Sequence, residues 1–125
     1  MVEIRRANAE TFQKLFGKDK RFIIQKENGY SSWFCFTLIL SPDWNVDRKA
    51  LMSKMKESGI GFRMITGGNF LRHDVIKLFD YSVVGKAINA DLAHDRGFFV
   101  GNHPTDLTTQ LEALYRCLTE KCGER

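Results

Sequence analysis

Between Ser32 and Leu40 the chain reads Ser-Trp-Phe-Cys-Phe-Thr-Leu-Ile-Leu, and Pro42 and Asp43 close the run. Both faces of this stretch are apolar, so the expectation is a strand buried on both sides. Such a strand needs a sheet beside it and other layers above it. The chain has 125 residues, which is one domain's worth and enough to bury a core. Hydrophobic residues make up 43% and charged residues 27%, with both signs mixed, which fits a globular domain rather than a disordered one.

The flanking segments supply those layers. Residues 3–16 read as a helix, with Ile4, Ala7, Leu15 and either Thr11 or Phe12 near helical spacing and Gly17 as its stop. No cap precedes it, and it starts abruptly, as the end of a longer helix would. Residues 22–24 read as a short strand, and Asn28-Gly29 marks a turn. Asn45 is placed to cap a helix over 46–58, whose apolar face is Leu51, Met52 and Met55 and whose stop is Gly59.

A second strand is expected over 60–66, then a sharp turn at Gly67-Gly68-Asn69 and a helix over 70–79. A short helix over 89–95 precedes a strand at Phe98-Phe99-Val100. The last helix carries Leu107, Leu111, Leu114, Tyr115 and Leu118 on one face. Thr109 and Glu112 have capping-box spacing there, and Lys121 falls in the last turn. The order predicts an α+β fold: a small sheet of three to four strands with helices packed mainly on one face. Parallel pairing and pairing with one strand reversed both fit.

The net charge of +4 permits an anionic partner without selecting one. The three cysteines, Cys35, Cys117 and Cys122, are an odd number and do not read as a disulfide framework. Reduced cysteines, no signal peptide and no apolar run long enough to span a bilayer lead to the expectation of a soluble, cytoplasmic protein without a membrane partner.

Several chemistries find no support. No G-x-S-x-G elbow occurs, and no cysteine has an activating neighbour. Cys117 and Cys122 are five residues apart on a helix end, a spacing that does not point two ligands at one metal. Gly67-Gly68-Asn69 lies between a strand and a helix, where backbone N–H groups can approach an anion, but it lacks the Lys-Ser/Thr of a Walker loop and the third glycine of a dinucleotide fingerprint. Arg96-Gly97-Phe98-Phe99-Val100 approaches the RNP1 string of an RNA-binding domain. Its aromatics are adjacent and so point to opposite faces, which argues against nucleic acid.

Taken in order, the strings are more specific. Ser31-Ser32-Trp33-Phe34-Cys35-Phe36 is followed by Arg48, Leu51, Gly59-Ile60 and Arg63. Then come Gly67-Gly68-Asn69-Phe70-x-Arg72, Asn89-Ala90-Asp91, Gly97-Phe98-Phe99-Val100-Gly101-Asn102-His103 and a Leu-rich helix. From about residue 5 to residue 120 this resembles the C-terminal portion of the DegT/DnrJ/EryC1/StrS family of sugar aminotransferases. Within the family it is most similar to the pyridoxamine-phosphate-dependent 3-dehydratase branch, which takes GDP-4-keto-6-deoxy-mannose or CDP-4-keto-6-deoxy-glucose.

The resemblance implies a fold-type-I enzyme of deoxysugar and lipopolysaccharide O-antigen biosynthesis. A dehydratase would remove the 3-hydroxyl from a 4-ketosugar, and an aminotransferase would deliver an amine; in both the cofactor carries the electrons. The implied cofactor, pyridoxal or pyridoxamine phosphate (PLP or PMP), belongs to a large domain that this chain lacks, joined in cis or in trans. Lys18, Lys20, Lys54 and Lys56 fall on polar helix faces or loops rather than in a cofactor setting.

Residues 1–125 are then expected to be a single small domain that closes over the substrate, with residues 1–16 as the end of the interdomain helix. Alone it would bind no cofactor and would be inactive; a homodimer would form through the whole enzyme. The expected partner is a GDP- or CDP-linked sugar. The expected substrate-binding residues are Arg63, Gly67, Gly68, Asn69, Arg72, Asn102 and His103, with no catalytic or metal-binding residue. The rival expectation is a freestanding or split-subunit ligand-binding domain without catalysis.

Overall fold

A computed structural model describes residues 1–120. In chain order the elements are α1 (Val2–Phe16), β1 (Phe22–Ile24), β2 (Cys35–Leu40), α2 (Arg48–Glu57), β3 (Arg63–Met64), two short 3-10 helices (Phe70–Arg72 and Asp74–Leu78), α3 (Ile88–Arg96), β4 (Gly97–Gly101) and α4 (Thr108–Thr119). The strands form one sheet in the order β1-β2-β4-β3, and every neighbouring pair is antiparallel. That resolves the pairing left open by the sequence and bears out the α+β fold. No described helix is long and apolar enough to cross a membrane.

The central run does not fold as expected. Strand β2 starts at Cys35, and its residues alternate: Phe36, Leu38 and Leu40 are buried, while Cys35, Thr37 and Ile39 are half-buried. One face of the strand, not both, enters the core. The late start has a backbone cause. Trp33 has φ 51°, the left-handed region, and its side chain turns into the core while Phe34 stays exposed.

The buried face of the sheet, with Phe98 and Val100 of β4, meets α1, α2 and α4 in one core. Phe12 stacks on Phe36 with ring centroids 4.6 Å apart, and Phe16 packs edge-on to Phe22 and Tyr115. The inward face of α1 is therefore Asn8, Ala9, Phe12 and Phe16. Ile4 and Ala7, chosen by spacing, are exposed, because the aromatic row at i and i+4 sets the helix rotation.

Helix ends differ from expectation where another acceptor does the capping. Asp47, not Asn45, caps α2 by accepting the Lys49 N–H at 3.0 Å. At α4 the Thr109–Glu112 box is not formed; the Asp106 carboxylate takes the Thr108 N–H, and the Asn8 side chain takes the Leu107 N–H. The strand expected over 60–66 pairs only at Arg63 and Met64, and the helix expected over 70–79 breaks into the two 3-10 turns. Lys121 and Cys122 lie outside the described residues.

Two arginines close the ends of the sheet. Arg96 donates to the carbonyls of Leu40, Ser41 and Trp44 at 2.7–2.8 Å. Arg48 donates to those of His94 and Gly97. These carbonyls stand at a strand end and a helix end; those of Ser41 and Trp44 also accept backbone N–H groups, from Trp44 and Val46.

At the base of α4, Asp19 accepts from Arg21 through both side-chain and backbone N–H groups, and from the Tyr115 hydroxyl at 2.8 Å. The Arg21 guanidinium is the main reason its carboxyl is lowered from 3.8 to about 2. An unfolded aspartate titrates near 4, so this group's contribution is complete above about pH 4 and is lost as pH falls toward 2. Asp19→Asn should flatten the stability profile in that window by about 2 kcal/mol, read from urea midpoints at pH 5 and pH 2.5. Phe12→Ala should cost about 3–5 kcal/mol in the same measurement at neutral pH, since the stacked ring has no space to be replaced by collapse.

Candidate functional site

At the end of the sheet where β2 starts and β4 finishes, a groove of about 580 Å³ opens to solvent. Phe34, Phe62, Phe99 and Leu107 line it with apolar surface, and Arg5, Arg63, Asn102 and His103 supply its polar groups. Arg63 reaches it because β3 pairs in register with β4, Arg63 opposite Phe99. Its guanidinium forms no ion pair among the described residues. Arg5 approaches from α1, and its Nε is buried without a hydrogen-bond partner. A buried cationic N–H left unpaired is costly, and an anionic or hydroxyl oxygen would satisfy it.

Asn102 forms the floor by a buried network. Its Nδ2 donates to the carbonyls of Arg5 and Trp33, at 3.0 and 2.8 Å, and its Oδ1 accepts from Asn8 at 3.1 Å. Asn8 also donates to the carbonyls of His103 and Thr105. The side chain of Asn102 is thus fully engaged inside the chain, while His103 next to it is exposed.

The turn Gly67-Gly68-Asn69 is a separate region, built against α3. Gly67 and Gly68 have φ of +80° and +51°, conformations that glycine adopts without penalty. At Gly68 a Cβ would stand 2.5 Å from His94 Nδ1, so the close approach also demands glycine. Asn69 is buried; its Oδ1 accepts the Leu71 N–H, and its Nδ2 donates to Asp91 at 2.8 Å. The backbone N–H of Asn69 donates to His94 Nδ1 at 3.1 Å. Arg72 bonds Asp95 at 2.7 Å and lies 3.6 Å from Asp91, and these carboxylates, Asp95 first, raise its pKa.

The residues expected from sequence therefore divide. Arg63, Asn102 and His103 meet at the groove. Gly67, Gly68, Asn69 and Arg72 share the turn, where the side chains of Asn69 and Arg72 are held by carboxylates of α3. Sequence reasoning missed Arg5 and Phe34. Arg5 was detectable as the residue one turn before Asn8 on α1. Phe34 was hidden inside a run read as strand.

The groove does not match the implied cofactor. Its lining holds no lysine to form an imine and no carboxylate to pair with a pyridine nitrogen. It does not fit PLP as a whole; its donors suit phosphate and hydroxyl oxygens.

The sequence matches the DegT/DnrJ/EryC1/StrS aminotransferase family over residues 1–117. It is 42% identical over 118 residues to the GDP-4-keto-6-deoxy-D-mannose 3-dehydratase of Yersinia pseudotuberculosis, covering 94% of this chain and 30% of that protein. The fold matches the E. coli GDP-4-keto-6-deoxy-D-mannose-3-dehydratase with bound hydrated PLP at a TM-score of 0.89 and 39% identity, over 94% of this chain and 31% of that one. A crystal structure of GDP-4-keto-6-deoxymannose-3-dehydratase with bound GDP-perosamine matches equally, at a TM-score of 0.89 and 39% identity, with the same coverage of both chains. The chain thus spans about 19–30% of the length of the curated relatives it matches. The chain belongs to the DegT/DnrJ/EryC1/StrS aminotransferase family.

Proposed function

We propose that this chain is the small, substrate-covering domain of a PMP- or PLP-dependent nucleotide-sugar 3-dehydratase. Residues 1–16 would continue an interdomain helix, and a large domain, in cis or in trans, would hold the cofactor and supply its electron chemistry. The observation that carries the reading is the groove itself: an exposed guanidinium at Arg63 and an unpaired Nε at Arg5, in a chain this similar to enzymes of GDP-linked sugars. That the relatives named above are 3-dehydratases favours loss of a hydroxyl over delivery of an amine.

Each residue has a distinct task in this reading. Arg63, at the sheet edge, would pair its planar fork with diphosphate oxygens. Arg5 would take one further oxygen through Nε. His103 would hydrogen-bond a sugar hydroxyl beside the apolar wall of Phe34 and Phe99. Asn102 acts from behind, keeping Arg5 and Trp33 in place. Gly67, Gly68, Asn69 and Arg72 would form a second, backbone-rich wall.

Titrating the chain with GDP-mannose should shift the amide signals of Arg63 and His103. Arg63→Ala should weaken binding by roughly tenfold, the loss of a charge-assisted hydrogen bond. Binding indifferent to that change would remove the groove from the proposal. Incubated alone with PLP, glutamate and GDP-4-keto-6-deoxy-mannose, the chain should turn over no sugar and give no stable cofactor absorbance. Turnover by the chain alone would overturn the division of labour.

A further inference from the structure

The Gly67-Gly68-Asn69 turn is pinned by two histidines, and they act through opposite hydrogen-bond roles. His73 Nε2 meets the Gly67 carbonyl, so it must donate its N–H. His94 Nδ1 receives the Asn69 N–H at 3.1 Å, so it must be an unprotonated acceptor. A donor nitrogen keeps its role when the imidazole becomes cationic; an acceptor nitrogen loses it. The two rings lie 6.0 Å apart.

We propose that neutral His94 is a latch on this turn, and that protonation of His94 releases the backbone N–H of Asn69 from it. The protonated ring turns its new Nδ1–H toward the Asn69 N–H, donor against donor, and Gly68 packs too closely to let the ring slide past. The charged and titratable groups around the latch are Asp91, which holds the Asn69 side chain, Arg72 and Asp95 paired beside it, His73 with its ring 6.0 Å from that of His94, and Arg48 of α2, which holds the His94 carbonyl. Arg72 already engages both aspartates, so they offset the new cation only by loosening that pair. Asn69 would then lose its backbone bond while its side chain remained on Asp91. The Asn69 N–H is therefore held while His94 Nδ1 is an acceptor and let go once that nitrogen carries a proton. The consequence for ligand binding rests on the function proposed above; the latch itself does not.

The test follows the Asn69 amide and the His73, His94 and His103 ring signals of the intact chain by NMR from pH 8 to pH 5. The Asn69 amide should move with the His94 midpoint, and its exchange protection should fall about fivefold across it, as expected for one lost hydrogen bond. In His94→Gln, whose amide oxygen accepts at every pH, that transition should vanish while the Phe36 and Phe98 signals keep their dispersion. An Asn69 amide that ignores the His94 midpoint in the unmodified chain overturns the latch, whatever the variant does. The same transition persisting in a folded His94→Gln chain overturns it as well. Running the GDP-mannose titration at both pH extremes separates the two readings: a turn that titrates while affinity stays constant keeps the latch and removes the turn from the proposed sugar site.

Discussion

A buried pair of carboxamides ties the first helix to the end of the last strand. Asn8 and Asn102 lie among apolar neighbours, where an amide missing a partner would cost about 1–3 kcal/mol. Neither pays that penalty, because each donor and acceptor meets another across the cluster: the carbonyls of Arg5, Trp33, His103 and Thr105 and the N–H of Leu107. One network therefore sets where α1 sits, how the chain enters β2, and where α4 begins. The groove inherits its shape from this. Arg5, Phe34 and His103 reach it only because the backbone next to each is held by Asn8, Asn102 or both.

The groove and the glycine turn solve different physical problems. Around the groove, cationic groups stand beside apolar walls with few internal partners, an arrangement that favours an anionic or hydroxylated ligand over water. At the turn, the side-chain donors already have carboxylate partners on α3, and what remains is backbone held in a conformation open to glycine. The first region provides charge, and the second provides shape.

Most of the fold was legible because its strongest signals are apolar. The leucine face of α4, the Met52–Met55 face of α2 and the Phe98 strand all appear where periodicity puts them. The failures have a common cause. Ser32–Leu40 looked two-sided because Trp33 and Phe34 were counted in a strand that a left-handed residue delays. Periodicity points to Ile4 and Ala7 and passes over the buried Asn8, because it counts hydrophobicity and cannot see a carboxamide that will be satisfied internally. Asp47 and Asp106 took capping roles assigned to Asn45 and Thr109 because local turns, not spacing, decide which acceptor points inward. For the site, the ordered strings put forward Arg63, Gly67, Gly68, Asn69, Arg72, Asn102 and His103 together; the fold divides them between groove and turn, and pairing with β4 and the route of α1 add Arg5 and Phe34 to the groove.

Arg48 and Arg96 leave one more consequence. Their acceptors are main-chain carbonyls, at His94 and Gly97 and at Leu40, Ser41 and Trp44. Such an acceptor is present whatever side chain stands at its position. Side-chain changes at His94, Leu40, Ser41 and Trp44 leave those acceptors in place; Gly97 alone among them has no room for a Cβ. Contacts of this one-sided kind leave no correlated substitutions behind. A reconstruction of this fold from paired variation among relatives would find the aromatic core and overlook the two guanidinium clamps that finish the sheet.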